Sequence, residues 1–143
     1  MKPTPQLTVT QYIEGKRSRI FDAWLKPELA MQWFSPLNMT RLSFRSDAKA
    51  GGAYIHKMRS PDGTEYTTVG QYLEIVPNEK IVFTWGKEGN AESVVTIELK
   101  DQGTGTLVTL SHAQLPDDLV PGHVAGWESA LRNLEKFFQG DRI

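Results

Sequence analysis

The chain has 143 residues, with 16 lysines and arginines against 17 aspartates and glutamates, and no cysteine. This length fits one domain spanning residues 1–143, with a core at about residues 7–139. The near-zero net charge gives no basic surface for nucleic acid, and the lack of cysteine excludes disulfides, thiolate nucleophiles and cysteine-ligated metals. No apolar run approaches the roughly 18 residues of a membrane span, and no signal peptide opens the sequence, so we expect a cytoplasmic protein.

An alternating strand opens the chain, and two short helices are predicted after it. The inner-face residues of the strand are Leu7, Val9, Gln11 and Ile13. Ile20 and Trp24 then stand at i and i+4, which is helical spacing. Pro27 suits the first position of a second helix, and Leu29 and Trp33 repeat the i, i+4 spacing.

Turn signals divide the middle of the chain into segments that suit long antiparallel hairpins. They are Pro61-Asp62-Gly63, Pro77-Asn78, Gly89-Asn90 and Gly103-Thr104-Gly105. Apolar residues alternate with polar ones in the segments before and between these turns, as in half-buried strands. The inner-face residues are Leu42, Phe44, Tyr54, His56, Met58, Ile81, Phe83, Trp85, Val95, Ile97, Leu99, Val108, Leu110 and His112. Glu74 falls among apolar neighbours, which leaves a buried carboxylate open but favours a local bulge that turns it to solvent.

A long helix is predicted at the C-terminus. Its apolar residues recur at intervals of three and four, and they are Val124, Trp127, Leu131, Leu134 and Phe138. Pro121 suits the start of this helix, and Gly140 suits its end. The order of strand, two short helices, further strands and long helix predicts an α+β domain, in which an antiparallel sheet wraps around the last helix.

Several motifs carry a resemblance to a known family. They are Phe21-Asp22-Ala23-Trp24, Pro27 to Trp33, Gly51-Gly52-Ala53-Tyr54, Met58 to Gly63, Gly70-Gln71-Tyr72, Ile75-Val76-Pro77, Val82-Phe83-Thr84-Trp85, Thr109-Leu110-Ser111-His112, and Gly126-Trp127 followed by Leu131 and Leu134. In this order and spacing, the sequence resembles the START-like (SRPBCC, helix-grip) superfamily. Within it, the sequence is most similar to homologues of the activator of heat shock protein 90 ATPase, of the C-terminal domain type.

The resemblance implies a helix-grip fold. In this fold a curved antiparallel sheet of six to seven strands wraps around a long C-terminal helix, and two short helices follow the first strand. It also implies a cavity between the sheet and the helix, where apolar or amphipathic small molecules bind in other members.

The sequence contains no recognisable metal or catalytic motif. Its three histidines, His56, His112 and His123, lack the i, i+4 spacing with an intervening glutamate that marks a helical zinc site. We therefore expect no metal and no other cofactor. No serine lies in a Gly-x-Ser-x-Gly elbow, and Ser111 points to the opposite face of its strand from His112. No catalytic residue is assigned.

A stripe of aromatic residues is more often plain core than pocket, but polar side chains on the same face strengthen the case for a pocket. Buried polar groups cost about 1–3 kcal/mol each when unpaired. Tyr54, His56, His112 and Ser93 therefore need water, each other or a ligand. The residues that we expect to contact a ligand are Trp33, Tyr54, His56, Met58, Tyr72, Phe83, Trp85, Val95, Ile97, His112, Trp127 and Leu131.

Three functions remain open from the sequence. The first is a binding module for a small hydrophobic or aromatic molecule. The second is a cyclase- or hydrolase-like enzyme, in which His56, His112 or Tyr54 supplies a proton in the same cavity. The third and least favoured is a chaperone-associated stress protein, because co-chaperones of this type carry a further N-terminal domain for which 143 residues leave no room. A homodimer is compatible with the sequence, since an edge strand must be paired or shielded.

Overall fold

Seven strands and three α-helices make up the part of the chain that the computed structural model describes, which is residues 4–36, 38–87 and 90–140. The strands are β1 (Pro5–Ile13), β2 (Thr40–Ser46), β3 (Ala53–Arg59), β4 (Glu65–Val76), β5 (Lys80–Lys87), β6 (Asn90–Gln102) and β7 (Gly105–Ala113). The helices are α1 (Arg17–Leu25), α2 (Pro27–Ala30) and α3 (Val120–Gly140), and a 3₁₀ turn at Asp117–Leu119 precedes the last of them. Within these ranges, no helix is both long enough and apolar enough to cross a membrane.

The strands form one antiparallel sheet in the order β1-β7-β6-β5-β4-β3-β2. The first strand therefore lies beside the last, with Val9 opposite Leu110. The two edges of the sheet are β1 and β2, and the connection between them carries α1 and α2. Helix α3 buries Trp127, Leu131 and Leu134 in the core. This is the helix-grip α+β fold that the sequence predicted.

The predicted alternation of buried and exposed residues is confirmed along the central strands. On β3, Tyr54 and His56 are buried, whereas Ala53, Ile55 and Lys57 are exposed. The predicted inner-face residues of β5, β6 and β7 that are buried are Ile81, Phe83, Val95, Ile97, Leu99, Val108, Leu110 and His112. Three of the four predicted turns also lie between strands, and the fourth, at Gly89, falls outside the described residues.

A bulge interrupts the pairing of β4 with β5, as the sequence predicted for this stretch. The register shifts between Tyr72 and Glu74, and the intervening Leu73 is 50% exposed. Glu74 faces solvent, where its Oε1 lies 3.1 Å from Nζ of Lys80. The bulge thus keeps Tyr72 in the core while it releases the carboxylate to the surface.

A second bulge, between β2 and β3, was not predicted. Arg41 pairs with Met58 and Ser43 with Lys57, so Leu42 is the extra residue. Met58 lies on the inner-face register of β3, and the bulge therefore brings Arg41 to that register. Simple alternation from the buried Phe44 would have placed Arg41 on the outer face, because the two residues are three positions apart.

The segment after α2 leads into the space between the sheet and α3. Pro27 occupies the first turn of α2, as predicted. Beyond the end of that helix, the indole Nε1 of Trp33 donates to the carbonyl of Ala23 at 3.0 Å, and the Trp33 side chain is fully buried. This contact anchors the loop beneath α1 and places the next residue, Phe34, in the interior.

Gly70 on β4 marks a close approach of neighbouring strands. A Cβ at this position would lie 2.0 Å from the carbonyl oxygen of Thr84 and 2.7 Å from Cε1 of Tyr54. The hydroxyl of Tyr54 donates to the same Thr84 carbonyl. Gly70 therefore leaves the room in which the Tyr54 ring crosses β4 to reach β5.

We expect Gly70→Ala to lower the free energy of unfolding by roughly 1–3 kcal/mol, because the added methyl overpacks the sheet. Urea denaturation measures this loss. The matched control is Gly122→Ala in α3, where an added Cβ meets nothing within 4 Å and alanine favours the helix by up to about 1 kcal/mol. A Gly70→Ala protein as stable as the wild type would contradict the close approach.

Candidate functional site

The predicted ligand residues lie in the interior between the sheet and α3. Met58 and Trp85 are half-buried, and all the others are buried. Aromatic rings account for most of this interior. Tyr54 contacts both Tyr72 and Phe83 at ring-centroid distances of 5.6 Å, and Trp85 lies 4.8 Å from Trp127 of α3. The structure thus brings these residues together, while their contact with a ligand stays a prediction.

Phe34 occupies the middle of this interior. Its ring stacks on His56 at a centroid distance of 4.6 Å and on Trp33 at 5.0 Å. It also lies 6.1 Å from Trp85 on β5 and 6.2 Å from Trp127 on α3. Phe34 therefore bridges the sheet and the helix, although it was not among the predicted ligand residues. It sits in a loop, where no periodicity in the sequence assigns a face.

The space left around Phe34 is small. The cavity beside it has a volume of about 10 Å³, and its lining consists of Trp24, Leu25, Phe34, Phe44, Tyr54, Tyr72, Ile81 and Phe83. A volume of this size holds about one water molecule. Pockets for small molecules commonly measure about 300–1,000 Å³. In this conformation, side chains fill the place where the fold family is expected to bind a ligand.

A chain of hydrogen bonds joins α3 to the sheet through His112. The indole Nε1 of Trp127 lies 3.0 Å from Nδ1 of His112. On the other side of the ring, Nε2 lies 2.9 Å from the hydroxyl oxygen of Ser93, which itself donates to the carbonyl of Trp85. Because an indole N–H can only donate, Nδ1 must accept and Nε2 must carry the proton. The contacts fix one neutral tautomer of His112.

The surroundings of His112 oppose its protonation. Burial first, and second the nearby His123, whose ring centroid is 5.3 Å away, lower the pKa of His112 to about 3. Protonation would also place a second hydrogen on Nδ1, against the indole N–H of Trp127. His112 is therefore a neutral structural link at physiological pH.

The contact between Ser93 and His112 is one that sequence reasoning missed as a pair. Both residues are buried, on neighbouring strands β6 and β7. A serine beside a histidine is the arrangement of an activated nucleophile, but there the histidine must accept the serine proton. Here Nε2 donates to Ser93, and the serine proton is directed to the carbonyl of Trp85. This geometry does not activate Ser93.

The phenols of Tyr54 and Tyr72 are also held neutral. Burial raises the pKa of Tyr72 to about 12. For Tyr54, burial first and the neighbouring Tyr72 second raise the pKa well above its usual range. The hydroxyl of Tyr54 is engaged with the carbonyl of Thr84. A phenol with a raised pKa, whose proton is already donated to a backbone carbonyl, is a poor proton donor to a substrate.

His56 is buried without a hydrogen-bond partner. It is 1% exposed, and among the described residues neither Nδ1 nor Nε2 finds a partner of normal geometry. Burial lowers the pKa of His56 to about 4, with the positive charge of Arg41 acting in the same direction and the backbone of Phe34 acting against it. The Nε1 of Trp24 is unpartnered in the same way.

Arg41 is a half-buried cation on the neighbouring strand β2, opposite Met58. Its Nε donates to the carbonyl of Met31 at 2.7 Å, and its Nη1 donates to the hydroxyl of Ser35 at 2.8 Å. In the described part of the chain, no carboxylate pairs with it. Burial lowers the pKa of Arg41. Sequence reasoning missed Arg41 because its inner position depends on the unpredicted bulge at Leu42.

No group of three or more histidine, aspartate or glutamate side chains within the described ranges is placed to hold a metal ion. The ring contacts of His112 are with His123, Trp85 and Trp127. The interior of the site thus offers aromatic surface, neutral hydrogen-bonding groups and one guanidinium.

Trp127→Phe tests the hydrogen-bond chain. This variant leaves Nδ1 of His112 buried without a donor, and we expect the free energy of unfolding to fall by roughly 1–3 kcal/mol. Proton–nitrogen correlation NMR of the wild-type imidazole should show the proton of His112 on Nε2. A wild-type spectrum with the proton on Nδ1 would contradict the assigned tautomer.

The two buried histidines should make the protein less stable in mild acid. Their folded pKa values, about 4 for His56 and about 3 for His112, lie below the ordinary value of 6.5, so between these values the unfolded chain binds more protons. The free energy of unfolding therefore has its full value above about pH 6.5. It decreases as the pH falls, by roughly 2 kcal/mol per histidine at about pH 5.

Urea denaturation at about pH 7 and about pH 5 measures this loss. In His56→Leu, the loss between the two pH values should shrink by about half, because one of the two buried groups no longer titrates. Because each protein is compared with itself at the two pH values, the change in packing that the substitution causes cancels. An identical loss in the wild type and in His56→Leu would show that His56 is not buried as a neutral ring.

Several solved structures are similar in fold to this chain. A protein from Nitrosomonas europaea has a TM-score of 0.84 at 20% identity, with 95% of each chain covered. A protein from Chromobacterium violaceum has a TM-score of 0.80 at 25% identity, covering 91% of this chain and 94% of the other. An AHSA1-like protein from Aeromonas hydrophila has a TM-score of 0.75 at 17% identity, with 94% of each chain covered.

One protein-family model matches most of this chain. The sequence has no significant match among curated proteins. The family model described as "Activator of Hsp90 ATPase homolog 1-like protein" matches residues 15–139, from just after β1 to the last turn of α3. The match covers strands β2 to β7 and helices α1 and α2, the Phe34 loop and the His112–Trp127 pair, and it leaves out β1. The chain belongs to the Activator of Hsp90 ATPase homolog 1-like family, within the START-like helix-grip superfamily.

Proposed function

We propose that this domain binds a small apolar or aromatic molecule between the sheet and α3, in a pocket that opens when Phe34 moves out of the interior. The fold family supports ligand binding in general terms. The more specific proposal rests on the side chains around Phe34. They provide a large aromatic lining and a few polar atoms, which is the usual character of a small-molecule pocket.

The observation that carries the proposal is the set of unpartnered polar atoms in contact with Phe34. Its ring stacks on His56 at 4.6 Å, and neither nitrogen of His56 has a hydrogen-bond partner among the described residues. It also meets the ring of Trp24 at 5.4 Å, and Nε1 of Trp24 is likewise unpartnered. Buried polar atoms without partners are rare in folded proteins. A ligand in place of Phe34 would supply the missing contacts.

Phe34 is suited to such a movement because it belongs to a loop and not to the sheet. The loop is held by polar contacts of its neighbours. Arg41 binds the carbonyl of Met31 and the hydroxyl of Ser35, and Nδ2 of Asn133 donates to the carbonyl of Ser35 at 2.8 Å. These contacts can persist while one side chain rotates. The aromatic walls on β3, β5 and α3 would then face the ligand.

The enzyme alternative has less support from the geometry. His112 and Ser93 are linked in the direction that does not activate the serine, and the hydroxyl of Tyr54 is engaged with a backbone carbonyl. Among the described histidines of the interior, His56 is the one with uncommitted imidazole nitrogens. A chaperone-associated role rests on the family description alone. Ligand binding therefore stands as the first function to test.

The test is a thermal-shift screen of the wild-type protein against lipids, sterols, polyketide-like aromatics and flavonoids. A ligand at about 100 times its dissociation constant adds roughly 2.7 kcal/mol, which raises the unfolding temperature of a domain of this size by several degrees. We expect wild-type hits, and we expect the same compounds to bind more tightly to Phe34→Ala, which no longer has to displace the ring.

Phe34→Ala removes a core side chain at a cost of about 3–5 kcal/mol, so Phe34→Leu serves as a milder second variant. The matched control is Phe137→Ala, at a partly buried ring of α3 that packs on Phe138. Binding to Phe34→Ala without any binding to the wild type would show a filled core with an artificial cavity. That result would contradict the proposal.

A further inference from the structure

The bulge at Leu42 places a positive charge at the pocket that we propose. Arg41 sits on the edge strand β2 opposite Met58, and Met58 shares the inner face of β3 with His56. Without the bulge, alternation from Phe44 would turn Arg41 to solvent. Bulges are common beside binding sites because they re-aim a side chain. Here the re-aimed side chain is a cation at the edge of an aromatic interior.

The guanidinium of Arg41 has unused hydrogen-bonding capacity. It carries five N–H donors, and its hydrogen bonds within the described residues go from Nε to the Met31 carbonyl and from Nη1 to the Ser35 hydroxyl. Both acceptors are neutral, and no described carboxylate balances the charge. A partly buried cation without a counter-ion is costly and gains most from an anion.

Two further donors belong to the same region: Ser35 is hydrogen-bonded to Arg41, and His56 is two residues from Met58, the residue opposite Arg41. Oγ of the buried Ser35 accepts from Nη1 of Arg41, which leaves its own proton for another acceptor. His56 is 1% exposed and has two unpartnered ring nitrogens. Its ring stacks on Phe34, the chain neighbour of Ser35, and Arg41 is near enough to act on it electrostatically. These three side chains can all donate hydrogen bonds, and together they form the donor group Arg41, Ser35 and His56.

We infer that the ligand of this pocket is an amphipathic carboxylate, whose carboxylate is bound by Arg41 with Ser35 and His56 while its apolar body takes the place of Phe34. The inference rests on the proposed function, since it names the chemical class of the ligand for the same pocket. A guanidinium fork matches a carboxylate with two parallel hydrogen bonds. The aromatic walls would hold the remainder of the molecule by apolar contact.

The test compares acids with alcohols of the same shape. The probes are decanoate with decanol, and naphthalene-1-acetate with 2-(1-naphthyl)ethanol, each titrated against the wild-type protein and followed by tryptophan fluorescence. We expect the acid of at least one pair to bind about tenfold or more tightly than its alcohol, as charge-assisted hydrogen bonds confer. In Arg41→Gln this preference, measured as the ratio of the dissociation constants of alcohol and acid within the same variant, should fall to about one.

Two further variants separate recognition from folding. Arg41→Lys retains the charge and should retain part of the preference, because a lysine binds an anion as a point charge. Arg45→Gln is the matched control, since Arg45 is exposed on the same strand β2 and should leave the preference unchanged. Unfolding temperatures measured beforehand show which variants are folded. If Arg41→Gln does not fold, Arg41→Lys carries the comparison.

Each outcome has a distinct meaning. Equal binding of acids and alcohols would overturn the carboxylate inference and leave the proposed function standing. An acid preference that survives in Arg41→Gln would overturn the role of Arg41. Failure of every probe to bind the wild type would count against both the inference and the proposed pocket.

Discussion

The space between the sheet and helix α3 has to be filled by side chains from almost every element of the fold. A curved sheet that grips one helix leaves more room than the helix alone can occupy, and protein interiors do not tolerate large voids. Here aromatic rings from α1, the loop after α2, four strands and α3 meet in that space, with Phe34 in contact with most of them. Flat rings of this size make large contact areas, but they bring polar atoms with them. How those atoms are satisfied decides what the interior can do.

The two buried histidines show opposite solutions to this problem. His112 has a partner on each nitrogen, so its tautomer is fixed and it links α3 to the sheet. His56 is equally buried and has no partner among the described residues. A polar network in which every group is hydrogen-bonded specifies one arrangement. A buried polar group without a partner destabilises the folded protein, and a ligand that supplies the missing hydrogen bond removes this free-energy cost. The contrast locates the adaptable part of the interior near β2 and β3, and the rigid part near β6 and β7.

Alternation in the sequence predicted most of the sheet, because a strand with one buried face must repeat with a period of two residues. The inner positions of β3, β5, β6 and β7 follow from it directly. Alternation no longer indicates the buried face where the period of two residues breaks. The bulge at Leu42 moves Arg41 to the inner register, and nothing in the local sequence marks the extra residue. Phe34 was missed as a central contact because a loop has no period. The hydrogen bond of Ser93 with His112 depends on the register between β6 and β7, which single strands do not reveal.

The pairing of the first strand with the last has a consequence for biosynthesis. Strands β2 to β7 follow one another as antiparallel neighbours, so each can pair with its predecessor as it leaves the ribosome. Strand β1 is made first, yet its partner is β7, and Val9 meets Leu110 only across almost the whole length of the domain. Closing so large a loop is entropically costly and slow. Until it closes, one edge of β7 is exposed to pairing with other chains. The nascent domain therefore passes through a stage in which it is open to aggregation, and this stage ends only when β1 docks on β7.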